Sequence, residues 1–514
     1  MRRHTNSFHV PERFLRQIWK HRDFATPVLQ TTDGQPIVII SPGKSNPDGG
    51  PDFIDARIRV GNVLYRGDVE LHQNCIDWSQ HEHHLDPKYN TVILHVVFRR
   101  DPSETSTLTK SRRSVPVLVL EPHLVSTQHS LWDKMIRDER SERLATIKCC
   151  SLNDVVEPLL IQRWLQKLAI ERFELKVRRF EERLKELVDD QKLSVKEPSA
   201  RYEETPFGLN PEDLPSPVHR YSQRDFGKIQ LWEQLLFEGC MEALGFSKNQ
   251  ESFLKLARNL KLQFFKNHNI PPRDILQIEA ILFGVAGLLP PVRSLDERPS
   301  RKHVQELRRT WRKMKPLYRN ETLTEAEWQF FRLRPENFPT VRLAAAAQLI
   351  SRMLTRDFFK TLVQTIKDAG RDTAEKLNPL RSTFIIAFDG FWQRHFRFGE
   401  ESRRPLRLLI GKSRSDDIVV NIVLPICLLY ARIFKDKGAR QAALKICEEY
   451  PPLSHNAIIR MMDGQLTRGK CKLDSAMLQQ GALQLYKFYC VEERCKECVV
   501  GKIVFRSVPA DISR

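Results

Sequence analysis

The sequence predicts an α+β protein, with a mixed β-sheet in its N-terminal part and a large, mostly α-helical region after it. Two observations predict this class. Between about residues 36 and 121, short runs rich in Val, Ile and Leu alternate with turn residues, a pattern typical of strands. After Ser151 the apolar residues recur at helical spacing instead, as they do from Leu159 to Leu184.

The elements of the N-terminal part follow from its apolar runs and turns. A helix is predicted around Glu12 to His21, ahead of the sheet. The turn Gly61-Asn62 predicts a two-residue hairpin between the second and third strands. The predicted strands are PIVII, DFIDARIRV, VLYRGDVELH, TVILHVVF and VPVLVLE.

The domain organisation is predicted from the changes in pattern along the chain. We expect an α/β domain over residues 1–150, a long helical connector over 151–195, a Pro-rich linker or loop over 196–218, and an α-helical region over 219–514 that ends in a cysteine cluster. No apolar run approaches the ~20 residues that cross a bilayer, and the first residues lack the apolar core of a secretory signal. The sequence thus predicts a cytoplasmic protein without a membrane partner, and leaves its oligomeric state open.

Net charge gives the first indication of a partner. The 514 residues carry a formal charge of +19, and a basic surface attracts polyanions. Acidic residues nevertheless gather between Asp48 and Asp86, so the positive surface is expected mainly beyond residue 151. Nucleic acid is the partner that this charge favours, against the alternative of a well-solvated basic surface.

The run VLYRGDVELH carries a candidate active site. Side chains of a strand alternate between its faces, which would put Asp68, Glu70 and His72 on one face. The hairpin would bring Asp52 toward the same place. Two carboxylates and a substrate phosphate suit magnesium or manganese, so we predict Asp52 and Glu70 as ligands, His72 as the group that orients or deprotonates water, and Asp68 as a spare ligand.

Histidines are concentrated just after this strand. Five of the fifteen fall between positions 72 and 95, namely His72, His81, His83, His84 and His95. His81 and His84 are candidate accessory residues, as a proton shuttle or as supports for the ligands. A separate transition-metal site built from His81, His83 or His84 is a further alternative. For any single one of these three, a solvated loop position is the simpler interpretation, and His95 suits a hydrogen-bonded core position equally well.

Pro51-Asp52, followed after a hairpin by Glu70-Leu71-His72, resembles the motif of the PD-(D/E)XK nuclease superfamily. That motif is an Asp followed by Glu-x-Lys in the next core strand. The resemblance implies a restriction-endonuclease-like fold and metal-dependent cleavage of phosphodiester bonds. His72 stands where the superfamily usually has lysine, which leaves open whether the site is active.

Nearly the whole chain resembles the bacterial family called domain of unknown function 2851. That resemblance implies no activity. The segments that carry it are GPDFIDARI, GDVELH, DWSQHEHHLDPKYNTVILHVV, FFRLRPENFPTVRLA and QQGALQLYKFYC.

A second candidate metal site lies near the C-terminus. Cys490, Cys495 and Cys498 stand in YCVEERCKEC, and a fourth ligand would come from Cys471 or His455. Thiolates at such spacing suit zinc or an iron–sulfur cluster, and the segment resembles in outline the cluster-binding segments of some DNA glycosylases and PD-(D/E)XK nucleases. Free thiols and a redox-active CxxC pair are the alternatives.

Together these features predict a metal-dependent nuclease-like protein that hydrolyses phosphodiester bonds in nucleic acid. The alternative is a non-catalytic nucleic-acid-binding or scaffold protein on a degenerate nuclease fold. Hydrolysis of another substrate at a histidine-rich transition-metal site is a third hypothesis.

Overall fold

The described part of the chain is a mixture of sheet and helix, as predicted. The computed structural model describes residues 12–22, 24, 29–46, 50–99, 107–123, 146–195, 221–331, 333–355, 357–369, 377–387, 390–454, 456–492 and 494–506. The predicted linker over residues 196–218 and the candidate ligand His455 lie outside these ranges.

Two compact units make up the chain. One consists of Met1–Asp138 together with Tyr486–Arg514, and the other of Glu139–Leu485. The division predicted from the sequence did not place the C-terminal segment in the same unit as the N-terminal residues. The four-part division of the chain stays a prediction.

The first unit is built on a seven-stranded mixed sheet in the strand order β1-β2-β4-β5-β6-β9, with β3 paired to β4. Strands β1 to β5 pair antiparallel, whereas β5, β6 and β9 run parallel. A separate two-stranded ribbon joins β7 and β8. The elements of this unit are α1 (Glu12–His21), β1 (Leu29–Gln30), β2 (Pro36–Ser41), β3 (Lys44–Ser45), β4 (Phe53–Val60), β5 (Val63–Asn74), α2 (Asp77–Gln80), β6 (Val92–Arg99), β7 (Thr107–Leu108), β8 (Ser114–Val115), β9 (Val117–Val119), the 3-10 turns Pro87–Thr91 and Glu121–His123, and two C-terminal segments, the π-helical turn Tyr486–Cys490 and the helix Val499–Arg506.

The predicted hairpin between β4 and β5 is confirmed. Val60 pairs with Val63, which leaves Gly61 and Asn62 as the two-residue loop. Gly61 has φ of 57°, in the left-handed region where a glycine carries no steric cost. The inward residues Phe53, Val69 and Leu71 are fully buried, and α1 packs against β5. This packing fixes the register of the strand that carries Glu70 and His72.

A bulge in β6, where Ile93 is the extra residue, shifts the register of the β5–β6 pair beside Asp68. Asp68 pairs with Val92, but Val69 already pairs with Leu94. Just before the bulge, a Cβ added to Gly67 would lie 2.5 Å from the carbonyl oxygen of Thr91. Only a glycine lets the two backbones approach so closely beside this bulge.

The second unit is predominantly helical, as the periodicity after Ser151 predicts. The helices, numbered on from α2, are α3 (Pro158–Val195), α4 (Ile229–Leu244), α5 (Phe246–Asn259), α6 (Leu262–Asn267), α7 (Ile275–Val285), α8 (Arg298–Met314), α9 (Pro339–Met353), α10 (Phe358–Ala369), α11 (Asn378–Ser382), α12 (Lys412–Ile418), α13 (Leu424–Ile433), α14 (Lys437–Glu449), α15 (Ala457–Met462) and α16 (Ala476–Leu485), with π-helical turns at Val419–Val423 and Asp463–Thr467. Short strands and 3-10 turns connect them: β10 (Ile386–Ala387), β11 (His395–Arg397), β12 (Glu400–Glu401), β13 (Leu408–Ile410), and the turns Asn153–Val155, Gln223–Phe226, Val292–Ser294, Lys315–Leu317, Glu325–Glu327, Pro335–Asn337 and Gly390–Gln393.

One face of the long helix α3 carries buried and half-buried cations at helical spacing. Arg183 donates from Nε and Nη2 to the carboxylate of Glu238, at 2.7 and 2.9 Å, and Arg179 pairs with Glu242. Lys176 donates to side-chain oxygens at 2.6 and 2.7 Å. Because buried charges need such partners, these cations fix how the helices around α3 pack. They show that part of the basic charge of this unit is used internally.

Within the described residues, no helix is both long and apolar enough to cross a membrane.

Candidate metal centre

Three histidines from one strand and one short loop come together in the first unit. His72 lies near the end of β5, while His81 and His83 follow the four-residue helix α2. The intervening Glu82 has φ of 61°, so the backbone turns sharply between the two loop histidines. The loop thereby directs both of their rings toward His72, and we call His72, His81 and His83 the histidine cluster.

The geometry of the histidine cluster suits a metal ion. The Nε2 atom of His72 lies 3.2 Å from Nδ1 of His81 and 3.2 Å from Nε2 of His83. The Oε1 atom of Glu70 lies 3.5 Å from His72 Nε2 and 3.3 Å from His83 Nε2. A tetrahedral ion with bonds of about 2.0–2.1 Å holds its ligand atoms about 3.3–3.4 Å apart. The separations of the histidine nitrogens therefore match those between neighbouring ligands of one small cation, whereas Glu70 lies close to His72 and His83 but is not part of the group of mutually close ligand atoms.

Contacts on the other side of its ring, to His95 and through it to Thr107, orient His72. Its Nδ1 atom lies 2.9 Å from Nε2 of His95, and Nδ1 of His95 lies 2.8 Å from the Thr107 hydroxyl. When His72 Nδ1–H donates to His95, the Nε2 lone pair of His72 faces the cluster. The reverse arrangement of protons satisfies the same bonds but places a proton on Nε2. Metal binding at Nε2 selects the first arrangement, which is the usual support for a ligand histidine.

Burial keeps the imidazoles of His72, His83 and His95 neutral. His72 is 1% exposed, and burial followed by the neighbouring histidine rings lowers its pKa well below the usual value. Burial lowers the pKa of His83 to about 4 and that of His95 to about 3. Neutral imidazole is the form that binds metals. His81 is exposed, so the histidine cluster opens to solvent on its side.

Asp52 lies beside Glu70, as the hairpin predicts. Its backbone N–H donates to Glu70 Oε2 at 2.9 Å, and its own Oδ2 accepts from the Leu71 N–H at 3.1 Å. The other carboxylate oxygen pairs with Arg16. Burial raises the pKa of Asp52, while Arg16 opposes this effect. Both oxygens thus bond to donors of the protein, and Asp52 holds Glu70 in place through its backbone.

The remaining predicted site residues of this segment lie apart from the histidine cluster. The carboxylate of Asp68 accepts hydrogen bonds from the Asp55 N–H at 3.1 Å and from the Thr91 hydroxyl at 2.5 Å. Nδ1 of His84 is buried without a hydrogen-bond partner in the described structure. The structure therefore places His83, rather than His84, next to His81 and His72. Strand alternation located Glu70 and His72, but it contains no signal for the bulge at Asp68 or the turn at Glu82.

A second group of three ligand-type side chains lies in the other unit. Nε2 of His395 is 2.6 Å from Glu297 Oε1 and 3.9 Å from Glu401 Oε1, while its Nδ1 is 3.0 Å from the Phe391 carbonyl oxygen. The shorter separation is that of a hydrogen-bonded ion pair rather than of two ligands on one ion. This group therefore acts in packing the β11–β12 hairpin.

The predicted cysteine ligands are divided between the two units. Cys471 belongs to the second, whereas Cys490, Cys495 and Cys498 belong to the first. Where the chain is described, the two groups of mutually close ligand atoms, one of His72, His81 and His83 and the other of Glu297, His395 and Glu401, contain no cysteine and neither Asp52 nor Glu70. A metal bound by Asp52, or by the cysteines, stays a prediction.

The chain matches a known family over most of its length. A family model described as a protein of unknown function, DUF2851, matches residues 12–195 and 225–456. No curated protein and no solved structure matches the chain.

Proposed function

Because the chain belongs to the family DUF2851, whose description names no activity, we propose a function from the site alone. We propose that the protein is a metal-dependent hydrolase that cleaves phosphodiester bonds in nucleic acid. Its ion would be held by His72, His81 and His83, and Glu70, which lies beside two of them, would join them as the fourth ligand. The observation that carries this proposal is the set of separations of 3.2 to 3.5 Å around His72 Nε2.

The donor set indicates the type of ion. Imidazole nitrogen suits zinc and iron better than magnesium, which prefers oxygen ligands. We therefore favour a transition metal, and keep magnesium or manganese on Asp52 and Glu70 as the alternative that the same experiment tests. A bound zinc-like ion lowers the pKa of its water to about 7 and stabilises charge on a phosphate in the transition state.

The protein side chains would divide the remaining tasks. His95 and Thr107 hold the ring of His72 in one orientation. The Asp52 N–H fixes Oε2 of Glu70, so that Oε1 points toward the histidine cluster. The exposed side of His81 is where water and a phosphate oxygen would enter.

Support for a nucleic-acid substrate comes from charge and from the motif. The net charge of +19 favours a polyanion over a neutral substrate. The hairpin that sets Asp52 beside Glu70 and His72 is the arrangement that the PD-(D/E)XK resemblance implies. It supports an endonuclease-like fold for the N-terminal sheet as part of this proposal.

The test combines metal analysis with a cleavage assay. We expect the purified chain to retain about one transition-metal ion and to cut labelled DNA or RNA, and His83→Ala or Glu70→Gln to lose both properties. His84→Ala is the matched control, since the same loop carries it, and it should keep both. The proposal would be overturned, in favour of a non-catalytic binding or scaffold protein, if the wild-type chain binds no ion. It would also be overturned if the Glu70→Gln variant cuts as fast as wild type.

A further inference from the structure

The side of the histidine cluster that His83 forms adjoins an exposed basic turn, Pro87–Thr91. The ring of His83 stacks on Tyr89, with centroids 3.8 Å apart and planes 24° from parallel. Tyr89 is buried within the 3-10 turn Pro87–Thr91, and the neighbouring Lys88 is exposed. The same turn that supports a cluster histidine thus presents a cation to solvent.

A second basic segment is tied to this turn. The Ser111 N–H donates to Asn90 Oδ1 at 3.1 Å, and Arg113 donates to the Asn90 carbonyl at 2.9 Å. These bonds dock the tip of the β7–β8 ribbon on the turn that carries Lys88. The tip exposes Lys110 and Arg112, so three cations lie on adjoining segments next to the histidine cluster.

These three cations differ from several arginines of the same unit. Arg16, Arg66 and Arg99 each pair with a carboxylate. Arg113 donates to the backbone carbonyl oxygens of Asn90 and Val92. For Lys88, Lys110 and Arg112, which we call the basic rim, no carboxylate of the described structure lies within ion-pair distance. Cations without a carboxylate partner can neutralise phosphates of a nucleic acid and so release the counterions bound to it.

We infer that the basic rim binds the phosphates of a nucleic-acid strand that extends from the histidine cluster across the Pro87–Thr91 turn. This inference rests on the proposed function, because it names where the substrate of that site would lie. Nucleic acid is favoured over an acidic protein because the adjoining histidine cluster has the ligands for phosphodiester chemistry. An acidic protein could bind to the cations alone, and its binding would give the histidine cluster no part.

The test compares two charge reversals of equal size in the full-length chain. One is Lys88→Glu, Lys110→Glu and Arg112→Glu together. The matched control reverses three other exposed cations of the same unit, Lys44, Arg57 and Arg59. Binding of labelled single-stranded and duplex oligonucleotides is followed by fluorescence anisotropy at several salt concentrations, with chelator present so that no cleavage occurs.

We expect the rim reversal to weaken binding at least about tenfold at low salt, and to reduce the slope of log affinity against log salt by up to about 2.7 for duplex or about 2.1 for single strands. The control should change affinity by less than about twofold. Replacement of the three rim residues by glutamine should give a smaller loss in the same direction, which separates charge from folding defects. Equal losses in the rim and control variants would overturn the inference, as would competition by polyglutamate as strong as that by unlabelled oligonucleotide.

Cleavage distinguishes this inference from the proposed function. A rim-dependent loss of binding in a chain that cuts nothing would leave the inference standing and remove the hydrolase. A chain that cuts, with the same KM in wild type and rim variant, would leave the hydrolase and remove the inference.

Discussion

Burial sets the charge state of single residues in both units, and it does so in opposite directions for acids and bases. It lowers the pKa of His83 to about 4, which keeps that imidazole uncharged at neutral pH. It raises the pKa of Glu279 on α7 to about 8, which keeps that carboxyl group protonated. Trp392 donates to the Glu279 carboxyl at 3.0 Å, and His303 lies 3.6 Å away. The shift of Glu279 makes stability depend on pH.

The pKa of Glu279 predicts that the wild-type protein loses stability as pH rises. Between about 4.5 and about 8 the folded chain keeps a proton that the unfolded chain releases, so the free energy of unfolding falls with pH. The slope is at most about 1.4 kcal/mol per pH unit. Glu279→Gln removes this term, so its melting temperature should rise relative to wild type between pH 5 and pH 8. Curves that stay parallel over this range would contradict the prediction.

Two features isolate the effect of Glu279. Burial also lowers the pKa of His303 to about 4, which adds stability as pH rises from about 4 to about 6.5. Wild type and Glu279→Gln share this histidine, so it affects their difference little. Glu306→Gln, at an exposed position of α8, serves as the control and should follow the wild-type curve.

Strand β5 shows at the scale of one element which parts of the site the sequence predicts. Period-two alternation and the Gly61-Asn62 turn predicted that Glu70, His72 and Asp52 would meet, since both follow from local backbone geometry. The exclusion of Asp68 depends on its hydrogen bonds to Asp55 and Thr91, which are 13 and 23 residues away in sequence, and on the bulge in β6 beside it. The choice of His83 over His84 depends on one left-handed residue, Glu82. Neither has a local signal in the apolar pattern.

Gly67 tests the role of this bulge. In Gly67→Ala the added Cβ would meet both the Thr91 carbonyl oxygen and Ile93 Cγ2 at 2.5 Å, so β5 and β6 must separate. We expect a loss of about 1–3 kcal/mol in stability and weaker metal binding, because Glu70 and His72 would shift relative to the loop histidines. Gly464→Ala, where a Cβ meets nothing within 4 Å, is the control. Thermal unfolding and a metal titration measure both effects, and a variant as stable and as tight-binding as Gly464→Ala would disprove the role.

At the scale of the whole molecule, the sequence predicted the sheet and the helical region but not the composition of the two units. Helical periodicity identified α3 and the helices after it, because each buries a continuous apolar stripe. The assignment of Tyr486–Arg514 to the unit that begins at the N-terminus depends on contacts across more than 300 residues of intervening chain. No local pattern reports such contacts. The net charge likewise does not give the charge of the surface, since the buried Arg179 and the half-buried Arg183 contribute to it while they pair with glutamates inside the unit.

The division into two units predicts how a metal would affect unfolding. The histidine cluster lies entirely within the first unit, whereas the largest apolar core, from Phe173 to Ala476, lies entirely within the second. A ligand that binds only the folded state stabilises the unit that holds it, by about 2.7 kcal/mol at a hundredfold excess over Kd. Calorimetry of the full-length chain should therefore show two transitions, of which zinc raises one and leaves the other unchanged. His83→Ala should abolish the shift without moving the second transition. A shift of both transitions by zinc, or a shift that survives in His83→Ala, would place the bound ion elsewhere in the molecule.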